Sequence, residues 1–273
     1  MPQFNILSID LEEWHHLGFG NDIAIQNAIR ISPQERVVKN TLKLLDIFQK
    51  ANVKATFFVL GSIAEKFPDL IKEIDKQGHE IACHGYNHAS LFKQTTKDFS
   101  IDLDKALEIL STITKQKIIG YRAPNLSMPD ALWPYEALTE KGFIYDSSQK
   151  ISKQYSSKGN TFYYVQISKE KTIIELPLSH VQIGPFCVPI SGGTYFRHLP
   201  YTFLKWSIET LNYSGRSAII YLHPRDIDTS LPKIDLSWPN RLRYSSHIGN
   251  TADKIQRLLE HFYFISFRKF LDK

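Results

Sequence analysis

The sequence predicts an α/β fold, a distorted (β/α) barrel of about seven parallel strands with an inserted antiparallel β segment. Three observations carry this. Short β-prone apolar runs alternate with stretches of helical periodicity almost from the first residues, and repeated strand–helix–strand units require a parallel sheet with right-handed crossovers. The chain has 273 residues, 42% of them hydrophobic, which suits one large domain with a sizeable core. Ionisable residues gather just past the predicted strand ends, where α/β barrels build their sites.

The first strand is read at residues 4–10 (FNILSID). Residues 34–51 carry apolar positions at helical spacing after a Ser32-Pro33 start signal. Residues 55–60 (ATFFVL), closed by Gly61, form a largely apolar run of the kind buried in parallel sheets. A helix over 68–76 stops at Gly78 and is followed by a short strand at 80–83. Residues 97–115 read as a longer helix with Leu103, Ala106, Leu107, Ile109 and Leu110 on its apolar face. Further strands are expected at 118–121 and 217–222. Over 149–200, β-prone stretches at 162–165 and 172–176 are separated by turn residues, and this segment is read as an antiparallel insertion. Residues 251–262 form a terminal helix and 264–267 a last strand. The chain is thus read as a single domain over 1–273, with 227–273 as a C-terminal extension packing on the barrel.

Composition excludes several classes. The net charge of +5 is mild and no block of five or six basic residues occurs, so no nucleic-acid partner is expected. No stretch approaches the ~20 apolar residues of a membrane helix. The apolar segment 4–9 is too short for a secretory signal, lacks a basic flank and runs straight into acidic residues, so a cytoplasmic protein is expected. Cys83 and Cys187 stand apart in sequence, form no C-x-x-C pair, and are read as reduced thiols. Oligomeric state is not legible.

Five segments hold the chemistry. In Asp10-Leu11-Glu12-Glu13-Trp14-His15-His16, residues i and i+2 of a strand share a face, so Asp10 and Glu12 point the same way. Two carboxylates facing one pocket repel unless a cation or proton lies between them; an acidic loop at a strand end is the plainer alternative. In His84-Gly85-Tyr86-Asn87-His88, histidines at i and i+4 fall on one face of a helical turn, within reach of one metal. A two-histidine, one-carboxylate set suits zinc or another divalent ion with open positions. Gly120-Tyr121-Arg122-Ala123-Pro124-Asn125, Gly142-Phe143-Ile144-Tyr145-Asp146-Ser147-Ser148 and Tyr221-Leu222-His223-Pro224-Arg225-Asp226 complete the set. Taken singly, these are turns with incidental charge and a histidine capping a core strand.

In this order the five segments resemble the polysaccharide deacetylase family, the NodB-homology carbohydrate esterases, over about residues 4–226. Residues 56–61 and 78–81 match its framework, and 10–14, 120–124, 145–148 and 191–197 (SGGTYFR) are similar to the branch associated with exopolysaccharide and peptidoglycan deacetylation. The resemblance implies metal-dependent removal of the acetyl group from an N-acetylated sugar, cytoplasmic placement favouring a precursor. It implies Asp10 as general base and Glu12, His84 and His88 as ligands of Zn2+, or of Co, Mn, Fe or Ni. Arg122 would orient Asp10, Asp146 would hold Arg122 or tune the site, and His223 would protonate the leaving amine, with an acidic neighbour such as Asp226. The Asn125 backbone N–H would help stabilise the oxyanion. Sugars stack on aromatic faces, which makes Trp14, Tyr86, Tyr195 and Trp238 candidate walls, with Tyr221 a further candidate substrate contact. Each is also an ordinary core residue type.

One departure stands out. The commonest family pattern has two adjacent Asp residues, whereas Leu11 separates Asp10 from Glu12 here, and Glu13 is an alternative ligand. Two other readings remain: a non-catalytic glycan-binding relative, and a different barrel metallohydrolase such as a phosphoesterase, in which Arg122 would bind phosphate.

Overall fold

Strand β1 (Phe4–Leu11) organises the molecule, because its two faces do different work. In the computed structural model, which describes residues 3–18, 22–31, 35–150 and 160–273, Leu7, Ile9 and Leu11 pack outward into the main core between sheet and helices. Ile6 points inward to a second apolar cluster with Phe58, Ala82, Tyr145, Ile219 and Phe267. Ser8 and Asp10 follow on the same inner face, as the period of two dictates. A hydrophobic floor thus gives way to polar groups toward the strand's C-terminal end.

Strands β2 (Thr56–Val59), β3 (Glu80–Cys83), β4 (Gly120–Tyr121) and β5 (Tyr145–Asp146) follow β1 in parallel. After β6 (Tyr163–Gln166) and β7 (Thr172–Glu175) come the hairpin strands β8 (His180–Ile183) and β9 (Phe186–Pro189), then β10 (Ile219–Leu222) and β11 (Tyr263–Ile265). The main sheet runs β10-β1-β2-β3-β4-β5-β7-β6, with β11 beside β1. The seven strands from β10 to β7 are parallel, and only β6 is antiparallel within it. Of the expected antiparallel insertion, β7 therefore belongs to the barrel wall, paired with β5 in parallel, while β8 and β9 form a separate two-stranded sheet. The edge of β10 is met by polar groups that flank the β8–β9 hairpin: the Ile219 N–H donates to Ser179 Oγ at 2.7 Å and the Tyr221 N–H to Ser191 Oγ at 3.2 Å.

The helices are α1 (Asp22–Ile31), α2 (Val37–Lys50), α3 (Gly61–Lys66), α4 (Pro68–Lys76), α5 (Thr96–Ile113), α6 (Trp133–Glu140), α7 (Gly193–His198), α8 (Tyr201–Tyr213), α9 (Trp238–Ser245), α10 (Thr251–His261) and α11 (Phe267–Leu271). The expected start signal for α2, Ser32-Pro33, and the first residue of the expected helix, Gln34, lie outside the described residues. Helix α2 buries Val37, Leu44, Leu45 and Phe48, and α5 buries Phe99, Leu103, Ala106 and Leu110. A reciprocal Thr95–Asp98 capping box satisfies the first donors of α5. The last strand, expected over 264–267, ends two residues short at Ile265, because Ser266 accepts from the Lys269 N–H and caps α11. Phe267 then plugs the barrel floor, stacked on Tyr145 at 5.1 Å and edge-on to Phe58 at 5.5 Å. No helix among the described residues is long and apolar enough to cross a membrane.

Candidate active site

Above the Phe58 ring, the guanidinium of Arg122 lies 4.1 Å from the ring centroid, and Arg122 is fully buried. All three of its nitrogens donate: to Ser147 O at 2.8 Å, Ser147 Oγ at 2.9 Å, Ser8 Oγ at 2.9 Å and Asp10 Oδ1 at 2.7 Å. Asp10, 3% exposed, is therefore a carboxylate whose orientation is set from below by a rigid fork. Of its two expected roles, Asp146 does not fill the first, since Arg122 is held by Ser147. Asp146 accepts from the Ser148 N–H and hydroxyl at 2.9 and 2.7 Å and shares a buried contact with Glu175, its register partner. Ser147, between them, holds Arg122. Burial, then Asp146, pushes the Glu175 carboxyl well above the ordinary range, and Glu175 also accepts from Tyr135 Oη at 3.1 Å.

Beside Asp10, a nitrogen or oxygen from each of Glu12, His84 and His88 lies within 4.8 Å of the others. His84 directly follows β3. Its Nδ1 is 2.7 Å from the Arg122 carbonyl oxygen, which can only accept, so Nδ1 carries the proton and the Nε2 lone pair faces the cluster. Burial lowers the His84 pKa to about 4, keeping the ring neutral. His88 Nε2 is 2.6 Å from Glu12 Oε2, and His84 Nε2 is 3.9 Å from the same oxygen. Two imidazoles and one carboxylate oxygen converging on a point fit a divalent ion such as zinc. The two histidines do not share a helical turn: Gly85 at φ +77° and His88 at φ 57° bend a loop that returns His88 to the site.

Glu12 is held on its other oxygen. Arg225 donates from Nη1 to Glu12 Oε1, and His223 Nε2 lies 3.4 Å away. Burial pushes Glu12 up, but His88, Arg225 and His223 outweigh it and hold Glu12 well below the usual carboxylate range. Glu13 is not part of this cluster. Its carboxylate accepts from the backbone N–H of Arg36 at 2.9 Å and of Val37 at 3.1 Å, satisfying open donors at the start of α2.

On the far side, His223 Nδ1 sits 3.1 Å from Asp226 Oδ2, which also accepts from the His223 N–H at 2.8 Å. Asp226 Oδ1 is 3.2 Å from Nε of the buried Arg197. Burial would raise the Asp226 pKa, but His223, Arg197 and Arg225 hold it well below the carboxylate range. A Cβ on Gly193 would lie 2.1 Å from Asp226 Oδ2, so the SGG turn at 191–193 leaves the room Asp226 occupies.

These groups line a cleft of about 500 Å3, with Asp10, Glu12, His84, His88 and His223 at one end and Asn125, Tyr195 and Tyr221 on its walls. Asn125 is exposed at φ 57° in a short 3-10 turn. Trp14 and Tyr86 are not among the lining residues. Trp14 is buried in a satellite core with Ala28, Ile234, Leu236 and Tyr244. Tyr86 lies against Gly61 of α3, donates to Glu65 at 2.6 Å and carries Lys105 Nζ 3.7 Å above its ring. Arg225, Arg197 and His16, which stacks on His88 at 5.3 Å, escaped the sequence reading because none lies in a spacing that marks a ligand. The available signals were their places in segments already singled out: Arg225 after His223-Pro224, Arg197 at the end of 191–197 and His16 at the end of 10–16.

Comparison with known proteins agrees with this architecture. Residues 32–143 match the family described as polysaccharide deacetylase, and residues 150–272 match a domain of unknown function, DUF3473. The chain is similar to the peptidoglycan-N-acetylglucosamine deacetylase of Bacillus cereus, 38% identical over 111 residues, covering 41% of this chain and 37% of that one. It is 31% identical over 166 residues to the peptidoglycan deacetylase of Helicobacter pylori, covering 58% and 54%. The chain thus spans roughly a third to a half of these relatives' length. A structure from Mycobacterium smegmatis assigned to the polysaccharide deacetylases shares the fold over 100% of this chain and 93% of its own, with TM-score 0.67 at 20% identity. A Bacillus anthracis pseudoenzyme of carbohydrate esterase family 4 does so over 99% and 66%, with TM-score 0.56 at 14% identity. His84, His88 and Arg122 fall inside the first matched region, and His223, Arg225 and Asp226 inside the second. Residues 32–143 carry a polysaccharide deacetylase (NodB homology) domain.

Proposed function

We propose that the protein hydrolyses the N-acetyl group of an N-acetylated sugar in a bacterial polysaccharide, peptidoglycan or its precursor, releasing acetate. The observation that carries this is the Glu12–His84–His88 cluster set between two differently supported groups, Asp10 on Arg122 and His223 on Asp226. A divalent ion held by Glu12, His84 and His88, zinc in the first instance, supplies Lewis acidity toward the acetyl carbonyl and a lowered water pKa when bound.

The chain's own residues do the rest. Asp10, fixed by the Arg122 fork, accepts the proton of the attacking water. Asn125 offers its backbone N–H at the cleft wall to the oxygen that gains charge as the carbonyl becomes tetrahedral. His223, on the opposite side, gives a proton to the amine nitrogen as the C–N bond breaks. Asp226 keeps Nδ1 as the donor to itself and Nε2 directed into the cleft, and it stabilises the imidazolium.

The test is acetate release from N-acetylhexosamine oligomers and peptidoglycan fragments, using protein stripped with a chelator and resupplied with zinc. Release that returns with metal supports the reading. A second reading, a glycan-binding relative without turnover, draws on the Asp10-Leu11-Glu12 spacing and on the pseudoenzyme that shares the fold. Stoichiometric metal with no acetate from any of these glycans favours it.

A further inference from the structure

Next to the cleft lies a second hollow of about 300 Å3, and the two share Thr194, Tyr195 and Arg243. Its floor is apolar and open: Trp238 is 73% exposed, Tyr195 49% and Leu242 37%. Trp238, Tyr195 and Leu242 line one hollow and so form a contiguous exposed apolar patch, which is the informative kind of surface exposure.

The hollow is also bolted to the reacting groups. Arg197 donates from Nη1 to the Tyr244 and Ser246 carbonyls, both at 3.1 Å, and from Nη2 to the Arg243 carbonyl, so it caps the last turn of α9. The same guanidinium sits 3.2 Å from Asp226, which holds His223. A second tie comes from His198, whose Nε2 is 2.6 Å from Ser246 Oγ. Trp238, at the start of α9, therefore stands at a fixed offset from His223.

Resting on the deacetylase reading of the neighbouring cleft, we propose that this hollow binds a further sugar ring of the same glycan chain, stacked on Trp238 and Tyr195. A pyranose presents a face of C–H bonds edged by hydroxyls, and it needs an apolar plate with a polar rim. Trp238, Tyr195 and Leu242 form the plate, and Thr194 and His198 stand at the rim. The exposed apolar surface of those three side chains is on the order of 400 Å2. That suits a ring or two of sugar and falls well short of the roughly 800 Å2 per partner of a stable protein interface. Continuity with the cleft selects a polymer: a bound chain crosses from one hollow to the other, and the fixed offset places one of its acetylated units at His223.

The test compares Trp238→Ala and Trp238→Phe with the parent, using β-1,4-linked N-acetylglucosamine from the monosaccharide to the hexasaccharide. Binding is read by calorimetry in the Asp10→Asn background, and acetate release in the otherwise unaltered chain. Trp238→Ala is expected to weaken the hexasaccharide about tenfold and the monosaccharide less than about twofold, with Trp238→Phe retaining most of the affinity. Equal effects at all lengths, or none, overturn the proposal. So does a change in sedimentation on substitution, which would assign the face to a second copy of the chain. Length-dependent binding without acetate release keeps this subsite and sinks the deacetylase reading; acetate release without length dependence does the reverse.

Discussion

Replacing Arg122 by Met separates the geometry of the candidate site from its chemistry. Arg122 is fully buried and Asp10 is 3% exposed, so the methionine leaves a carboxylate in the barrel interior without its cation. It also removes the donors to Ser8, to Ser147 Oγ and to the Ser147 carbonyl. Breaking a buried pair from one side costs about 3–5 kcal/mol, mostly through the uncompensated charge. For a chain of this length that corresponds to a Tm lower by roughly 6–20 °C. Urea unfolding of the single variant and of the Arg122→Met, Asp10→Asn double variant at neutral pH measures both the loss and its origin. The double variant is expected to recover about 2 kcal/mol or more, because the stranded charge is gone. A single-variant loss below about 1 kcal/mol, or losses that simply add, would refute the account of Asp10 as a carboxylate held by Arg122.

Three further outcomes follow from the same geometry. His84→Ala is expected to abolish both metal uptake, read by elemental analysis of dialysed protein, and acetate release; retained activity would sink the metal assignment. Glu13→Gln is expected to cost about 1–2 kcal/mol through a weakened start of α2 with metal content intact, whereas Glu12→Gln loses the metal. Burial, then Asp146, raises the Glu175 carboxyl, so the folded protein binds more protons there than the unfolded chain, and this contribution fades as pH rises above the unfolded value near 4.5. Glu175→Gln, neutral at every pH, is therefore expected to flatten the fall in urea stability from about pH 5 upward; an unaltered slope would assign that fall to other groups.

The parts of the site that could be read from sequence are those tied to strand ends. Asp10 follows from a period-two strand, His84 from the residue after β3, and His223 from the residue after β10, because parallel strands deliver such positions to one rim. His88 sits at the expected spacing, yet a loop turned at Gly85 brings it back, and no periodicity encodes that path. Trp14 and Tyr86 show the opposite failure. Aromatic type alone does not tell a platform from a core residue, and tertiary packing places Trp14 under α1 and the segment before α9. The barrel wall hid β7 for a related reason: its pairing with β5 is long-range, and only its local antiparallel partner β6 leaves a trace in the sequence.

The spacing that departs from adjacent aspartates has a structural compensation. In an extended strand adjacent residues face opposite sides, so a carboxylate at position 11 would point into the helix-facing core, where Leu11 is fully buried. Placing the carboxylate at 12, just beyond β1, returns it to the side of Asp10, and the extra methylene of glutamate lets it reach back from the rim to His88. Such a longer arm has more rotamers to lose, and Arg225 removes that freedom by holding Oε1 and leaving Oε2 to face both histidines. Asp10 with Arg122, Glu12 with Arg225 and Asp226 with Arg197 are then three buried carboxylates, each with its own arginine. Buried charges persist only when paired in this way. Under the proposed deacetylation, the pairing would fix the base, the ligand and the support of the acid in place before substrate arrives, which is the preorganisation that amide hydrolysis rewards.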